Sequence, residues 1–76
     1  MKKLIELRAL KGWTQSDLAW RSGVPQPTIS KIEKGVIEGY SVRSMKRLAD
    51  TLGVTVLEIE EFAVKLARPS VTRQKG

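Results

Sequence analysis

Residues 12–35 read GWTQSDLAWRSGVPQPTISKIEKG, and the spacing inside this stretch decides the fold. Thr14-Gln-Ser-Asp17 has the form of a capping box, in which a hydroxyl and a carboxylate satisfy free N–H groups reciprocally. Trp13 before the cap and Leu18 after it complete a hydrophobic staple. The helix so opened is expected over 15–22, closed by Gly23, where a left-handed residue carries no Cβ penalty. A second helix is expected over 27–34, closed by Gly35. Ala19 lets two backbones approach, Gly23 follows four residues later, and Val24 can fill the corner, so the junction is tight.

Two prolines frame this second helix. A helix leaves its first four N–H groups without internal partners, so proline in the first turn sacrifices little. Pro27 disfavours an α conformation at Gln26. Pro27 is therefore expected as the first helical residue, with Gln26 as cap and Pro25 stiffening the approach. Gln26 would then project from the positive end of the helix, already in position.

Working outward, helices are expected at 2–11, 42–52 and 56–67 as well. Gly12 and Gly53 close two of them, Thr55-Val-Leu-Glu58 forms another capping box stapled by Val54 and Ile59, and Ser41 gives a weaker start flanked by Tyr40 and Met45. At about 100° per residue the inward side chains are Leu4, Leu7 and Leu10; Leu18 and Ser22; Ile29 and Ile32; Val42, Met45, Leu48, Ala49 and Leu52; and Val56, Ile59, Ala63 and Leu66 with Phe62 beside them. Two charges interrupt this pattern: Glu33 falls between Ile29 and Ile32, and Arg8 lies on the Leu4/Leu7 side. A buried lone charge is costly and these two have opposite signs, so an Arg8–Glu33 ion pair bracing the first helix against the third is expected. The alternative is that both snorkel to solvent.

Seventy-six residues make one small all-α domain over 1–67, followed by a basic and flexible segment at 68–76 that begins at Arg68-Pro69. There is no cysteine, no apolar run long enough to cross a bilayer, and the opening MKKLIELRALKG is too charged for a secretory leader. A cytoplasmic location is expected. The net charge is +6, but residues 65–76 contribute four basic groups and no acid, leaving ten basic against eight acidic side chains in 1–64. Composition alone therefore does not establish an anionic partner; placement must. The chain has no histidine or cysteine to act as base, nucleophile or zinc ligand, and no phosphate-cradling glycine loop, so neither catalysis nor a metal or cofactor is expected. Glu58, Glu60 and Glu61 read as solvated surface of the last helix.

Spacing alone leaves two readings of residues 14–34, an ordinary helical hairpin or a helix-turn-helix whose second helix can enter the DNA major groove. The chain resembles the phage repressor and Cro family, the XRE-type regulators, through Thr14-Gln15, Leu18-Ala19, Gly23-Val24, Ile29-Ser30, Ile32-Glu33 and Gly35, followed by LADTLGVTVLEI, over about residues 3–60. The resemblance implies a compact, five-helix, lambda-repressor-like domain and also implies the Arg8–Glu33 pair. It departs from the family in a longer VIEGY connection, in Trp20 and in Pro27.

The base readers that the resemblance implies are Gln26, Thr28 and Lys31. Their chemistry fits: glutamine can pair with adenine N6/N7, lysine can donate to guanine O6/N7, and threonine can touch a thymine methyl, although a plain solvated face has the same composition. Gln15 at a helix start, Ser30, Lys34, Ser41 and Arg43 are expected to hold phosphates, with entry into the minor groove as the alternative for Arg43. Leu57 and Val64 point away from the core stripe of the last helix and are candidates for a homodimer surface, which two half-sites about 34 Å apart would require. Trp20 also points outward and is expected to lie over neighbouring helix surface or to mark a partner contact. Two functions follow: a homodimeric regulator of transcription on double-stranded DNA, commonly a repressor, or an antitoxin-type module that binds a partner protein and DNA as a complex.

Overall fold

The structure is a computed structural model and describes residues 1–36 and 38–67. It is all-helical, with α1 at Leu4–Lys11, α2 at Gln15–Ser22, α3 at Gln26–Glu33, α4 at Val42–Leu52, a 3-10 turn at Val56–Glu58 and α5 at Glu60–Ala67. Ile37 and the basic segment expected at 68–76 lie outside the described residues.

Local signals explain most of these boundaries. At the start of α2 the Thr14 side chain accepts from the Asp17 N–H at 3.0 Å, and Asp17 accepts from the Thr14 N–H at 2.9 Å. Gly23 ends α2 with φ 76°, the left-handed geometry expected of it, and a Cβ there would stand 3.2 Å from Nη1 of Arg47. Gly12 and Gly53 close α1 and α4 in the same conformation. Ser41 opens α4 by accepting from the Ser44 N–H at 3.3 Å.

The core gathers one stripe from every α-helix. Leu4, Leu18, Ile29, Ile32, Met45, Leu48, Ile59 and Phe62 are fully buried, with Val24, Ala49 and Leu52 nearly so. Val24 thus fills the corner between α2 and α3, and Leu7, Trp13, Tyr40 and Val54 pack around the edge. Phe62 also meets the Tyr40 ring, with centroids 5.9 Å apart.

Three core expectations fail. Leu10, Val42 and Leu66 are exposed. A row of residues three apart drifts by about 60° per step, so Leu10 ends roughly 120° from Leu4, off the buried side. Val42 and Leu66 lie in the terminal turns of their helices, where burial needs a neighbour beyond the helix end. Phe62, expected only at the side of its stripe, is among the largest fully buried side chains.

The last helix differs most from expectation. A continuous helix over 56–67 is replaced by the 3-10 turn, an extended Ile59 (φ −95°, ψ 119°) and then α5. The reason is a contact with the chain start. Lys2 pairs in parallel with Ile59, its N–H donating to the Glu58 carbonyl at 3.3 Å and its carbonyl accepting from the Glu60 N–H at 2.8 Å. Glu61 then accepts from the Leu4 N–H at 2.8 Å, satisfying an orphan donor at the start of α1 from a residue 57 positions away. The first helix accordingly begins at Leu4 rather than Lys2, because residues 1–3 serve this pairing.

Candidate nucleic-acid interface

The starts of α2 and α3 lie side by side. α3 begins one residue earlier than expected: Pro25 stands outside it with φ −56° and ψ 141°, and Gln26 and Pro27 are its first two helical residues. The Pro25 carbonyl accepts from both Thr28 and Ile29, at 3.0 and 3.2 Å, so a tight first turn accommodates the conformation that Pro27 disfavours at Gln26.

Gln26 is solvent-exposed, and both ends of its amide are engaged by α2. Its Nε2 donates to Oε1 of Gln15 at 3.4 Å, and its Oε1 accepts from the Ser16 hydroxyl at 3.2 Å. Gln15 in turn donates from Nε2 to Oε1 of Glu33 at 2.9 Å. Glu33 accepts from Arg8 twice, from Nε at 2.7 Å and from Nη2 at 2.9 Å, while Arg8 Nη1 donates to the Trp13 carbonyl at 3.0 Å. The Arg8 and Glu33 side chains are 15% and 7% exposed, so they form a part-buried, bidentate pair between α1 and α3 rather than two snorkelling side chains. Burial raises the Glu33 carboxyl, but donation from Arg8 and Gln15 and the charge of Arg8 outweigh it, leaving Glu33 below the usual glutamate range. The hydrogen bond to Glu33 is also the main reason that Arg8 is held above its usual range.

Along α3, Pro27, Lys31 and Lys34 are exposed, whereas Thr28 and Ser30 are half-buried. The Lys31 ammonium rests against the following loop, 3.3 Å from where a Cβ on Gly39 would stand. Ser41 and Arg43 are exposed at the start of α4. The structure therefore joins Gln15 and Gln26 in one bonded cluster; Lys31, Lys34, Ser41 and Arg43 are exposed but not bonded into it, and Lys34 borders a hollow shared with Glu60, Glu61 and Val64 of α5. Ser16 and Arg47 were missed by sequence reasoning: one ties Gln26 across ten positions, the other lies over Gly23, and neither carries a local signal.

The two dimer candidates are both exposed, Leu57 at 62% and Val64 at 53%, but the break at Ile59 separates them. Leu57 borders a hollow with Met1, Leu7 and Val54, whereas Val64 borders another with Val36 and Tyr40. Trp20 is 87% exposed and does not lie over neighbouring helix surface; it rims an open hollow beside Pro25 and Gln26. The Ala19 methyl and the bare Gly23 backbone on that surface leave its ring little to lie against.

A compact helical bundle with a tight α2–α3 corner and polar side chains at the start of α3 defines a helix-turn-helix domain. Comparison with known proteins agrees: a family model described as helix-turn-helix matches residues 4–59. The chain belongs to the XRE-type helix-turn-helix family of DNA-binding transcription regulators. It is similar to the HTH-type transcriptional regulator SlrR of Bacillus subtilis (strain 168), with 40% identity over 52 residues. That match covers 68% of this chain and 34% of the relative, so the chain spans about a third of the length of the curated relative. No solved structure matches with significance.

Proposed function

We propose that this chain is a sequence-specific DNA-binding domain that regulates transcription, with α3 as the helix that enters the major groove. The observation that carries the reading is Gln26: it stands exposed in the first turn of α3, held from behind by side chains of α2. Gln26, Thr28 and Lys31 are the base readers in this reading, and Gln15, Ser30, Lys34, Ser41 and Arg43 hold the flanking phosphates. The free N–H groups at the start of α2 add partial positive charge beside Gln15. A homodimer placing two α3 helices about one DNA turn apart would read a near-palindromic operator and repress by occluding the promoter. Leu57 or Val64 would supply its apolar contact; because they border different hollows, one of them is expected to dominate.

Selection of bound sequences from randomised duplex DNA tests the whole reading. An inverted repeat among the recovered duplexes is the expected result, and a pool without any preferred sequence would refute it. With the recovered duplex in hand, Lys31→Ala should relax preference at one base pair per half-site. Arg43→Ala should weaken specific and scrambled duplexes alike and reduce the salt dependence of binding.

A partner protein is the second reading, supported by the exposure of Trp20 beside an open hollow. An antitoxin-type module would bind the selected duplex tightly only once its partner is added.

A further inference from the structure

We infer that Glu33 is a positioning residue for base recognition: its negative charge, relayed through Gln15, dictates which end of the Gln26 amide faces the DNA. The inference rests on Gln26 being a base reader, as proposed above. It starts from a continuous chain of contacts, Arg8 to Glu33 at 2.7 Å, Gln15 to Glu33 at 2.9 Å, Gln26 to Gln15 at 3.4 Å and Ser16 to Gln26 at 3.2 Å.

Consider which members of that chain have a direction. A primary amide carries a donor at one end and an acceptor at the other, so Gln15 and Gln26 can each be turned end for end. A hydroxyl both donates and accepts, so Ser16 permits either arrangement. Glu33 is different. Its pair with Arg8 keeps it ionised, and an ionised carboxylate only accepts. Gln15 must therefore turn its NH2 toward Glu33, which leaves Oε1 for Gln26. Gln26 must then turn its own NH2 toward Gln15, and its Oε1 receives the Ser16 hydroxyl. One N–H and one lone pair of Gln26 remain, in a fixed order. A donor for N7 beside an acceptor for N6–H is the pair that an adenine edge requires. With the order reversed, the same side chain would face adenine donor to donor.

Gln15 on this account does more than hold a phosphate, and the Arg8–Glu33 pair does more than brace α1 against α3. A purely structural ion pair predicts loss of melting temperature with base preference intact. A direction-setting one predicts loss of preference at a single base pair.

The test uses the full chain and the duplex recovered by selection, with each base pair of one half-site varied in turn. Gln26→Ala identifies the base pair that Gln26 reads, and Lys31→Ala identifies a control base pair. Glu33→Gln, held well below its melting temperature and checked for helix content by circular dichroism, is expected to lose most of the discrimination at the Gln26 base pair, about tenfold in the wild type. Discrimination at the Lys31 base pair should stay intact. Gln15→Leu leaves the ion pair in place and should give the same selective loss, so if Glu33→Gln does not fold, intact discrimination in Gln15→Leu still overturns the relay. The double variant should lose no more than either single one. Wild-type discrimination at the Gln26 base pair in these variants, while Gln26→Ala loses it, would overturn the relay and leave base reading by Gln26 standing. Equal losses at both base pairs would overturn it too, as damage to the whole domain. If Gln26→Ala changes no preference, base reading by Gln26 fails and the relay falls with it.

Discussion

The first helix is held at its two ends by different means. Against α3 it presents a charge, and Arg8 meets Glu33 in a bidentate pair that continues through Gln15 to Gln26. Near α5 the chemistry is apolar and main-chain: Ile59 and Phe62 are fully buried, Lys2 bonds to both Glu58 and Glu60, and Glu61 receives the Leu4 N–H. The difference teaches a division of labour. Apolar burial has no direction and supplies stability in proportion to area. A hydrogen-bonded ion pair adds less net stability, but it holds its partners in one geometry. The ion pair and its relay lie behind the proposed reading head, and the buried Ile59 and Phe62, with the hydrogen bonds of Lys2 and Glu61, lie toward the opposite end of α1.

Breaking the apolar side should produce the largest effect. Phe62→Ala removes a fully buried ring and is expected to destabilise by about 4 kcal/mol. A domain of this size has a total stability of only roughly 4–11 kcal/mol. Circular dichroism should therefore show a largely unfolded chain on modest warming, and DNA affinity should fall only in step with the folded fraction. Loss of affinity in a fully folded Phe62→Ala would show that the apolar side also touches the reading function.

Breaking the polar side comes next. Arg8→Ala strands Glu33 and frees the Trp13 carbonyl, which should cost about 3 kcal/mol. That corresponds to a melting temperature lower by roughly 15 °C. An unchanged melting curve would remove the pair from any account of stability.

Acid sharpens the contrast, because the two carboxylates move in opposite directions. Glu33 titrates lower in the folded chain than in the unfolded one, so its contribution is complete above the usual glutamate range and is lost as pH falls through its folded value. Glu61 is lifted by burial despite the N–H of Leu4, so the folded state takes up its proton first and gains as pH falls. Thermal melts from neutral pH downward should show a shallower acid loss in Glu33→Gln than in the wild type, and a steeper one in Glu61→Gln. The reverse order would contradict both assignments.

The smallest effects belong to the surface. Ser41→Ala removes the cap of α4 and should cost about 1 kcal/mol. Trp20→Ala should change stability by less than about 0.5 kcal/mol, since 87% of that residue already faces water. A larger loss on melting would mean that the ring rests on the domain after all.

Much of this was legible in the chain. The capping pair Thr14/Asp17, the left-handed Gly23, the corner residue Val24 and the juxtaposition of Arg8 with Glu33 all follow from spacings within or between neighbouring helices. The break at Ile59 did not. Thr55-Val-Leu-Glu58 signals a helix start correctly, with Glu58 accepting the Thr55 N–H at 2.7 Å, but nothing local says that the helix will stop after one turn. The hydrogen bonds that make an extended Ile59 acceptable come from Lys2. In the candidate interface the residue types were readable, while the order of contacts from Glu33 to Gln26 was not.

The sequence by itself determined the existence and order of the helices, the caps at Thr14, Ser41, Gly12, Gly23 and Gly53, the tight corner and the family, because these depend on periodicity and on side chains a few positions apart. Only the tertiary structure decided where α5 begins, which aliphatics are covered, and which groups stand behind Gln26. Those outcomes depend on partners ten to fifty-seven residues away, brought together by burial of a shared core that has no preferred direction along the chain.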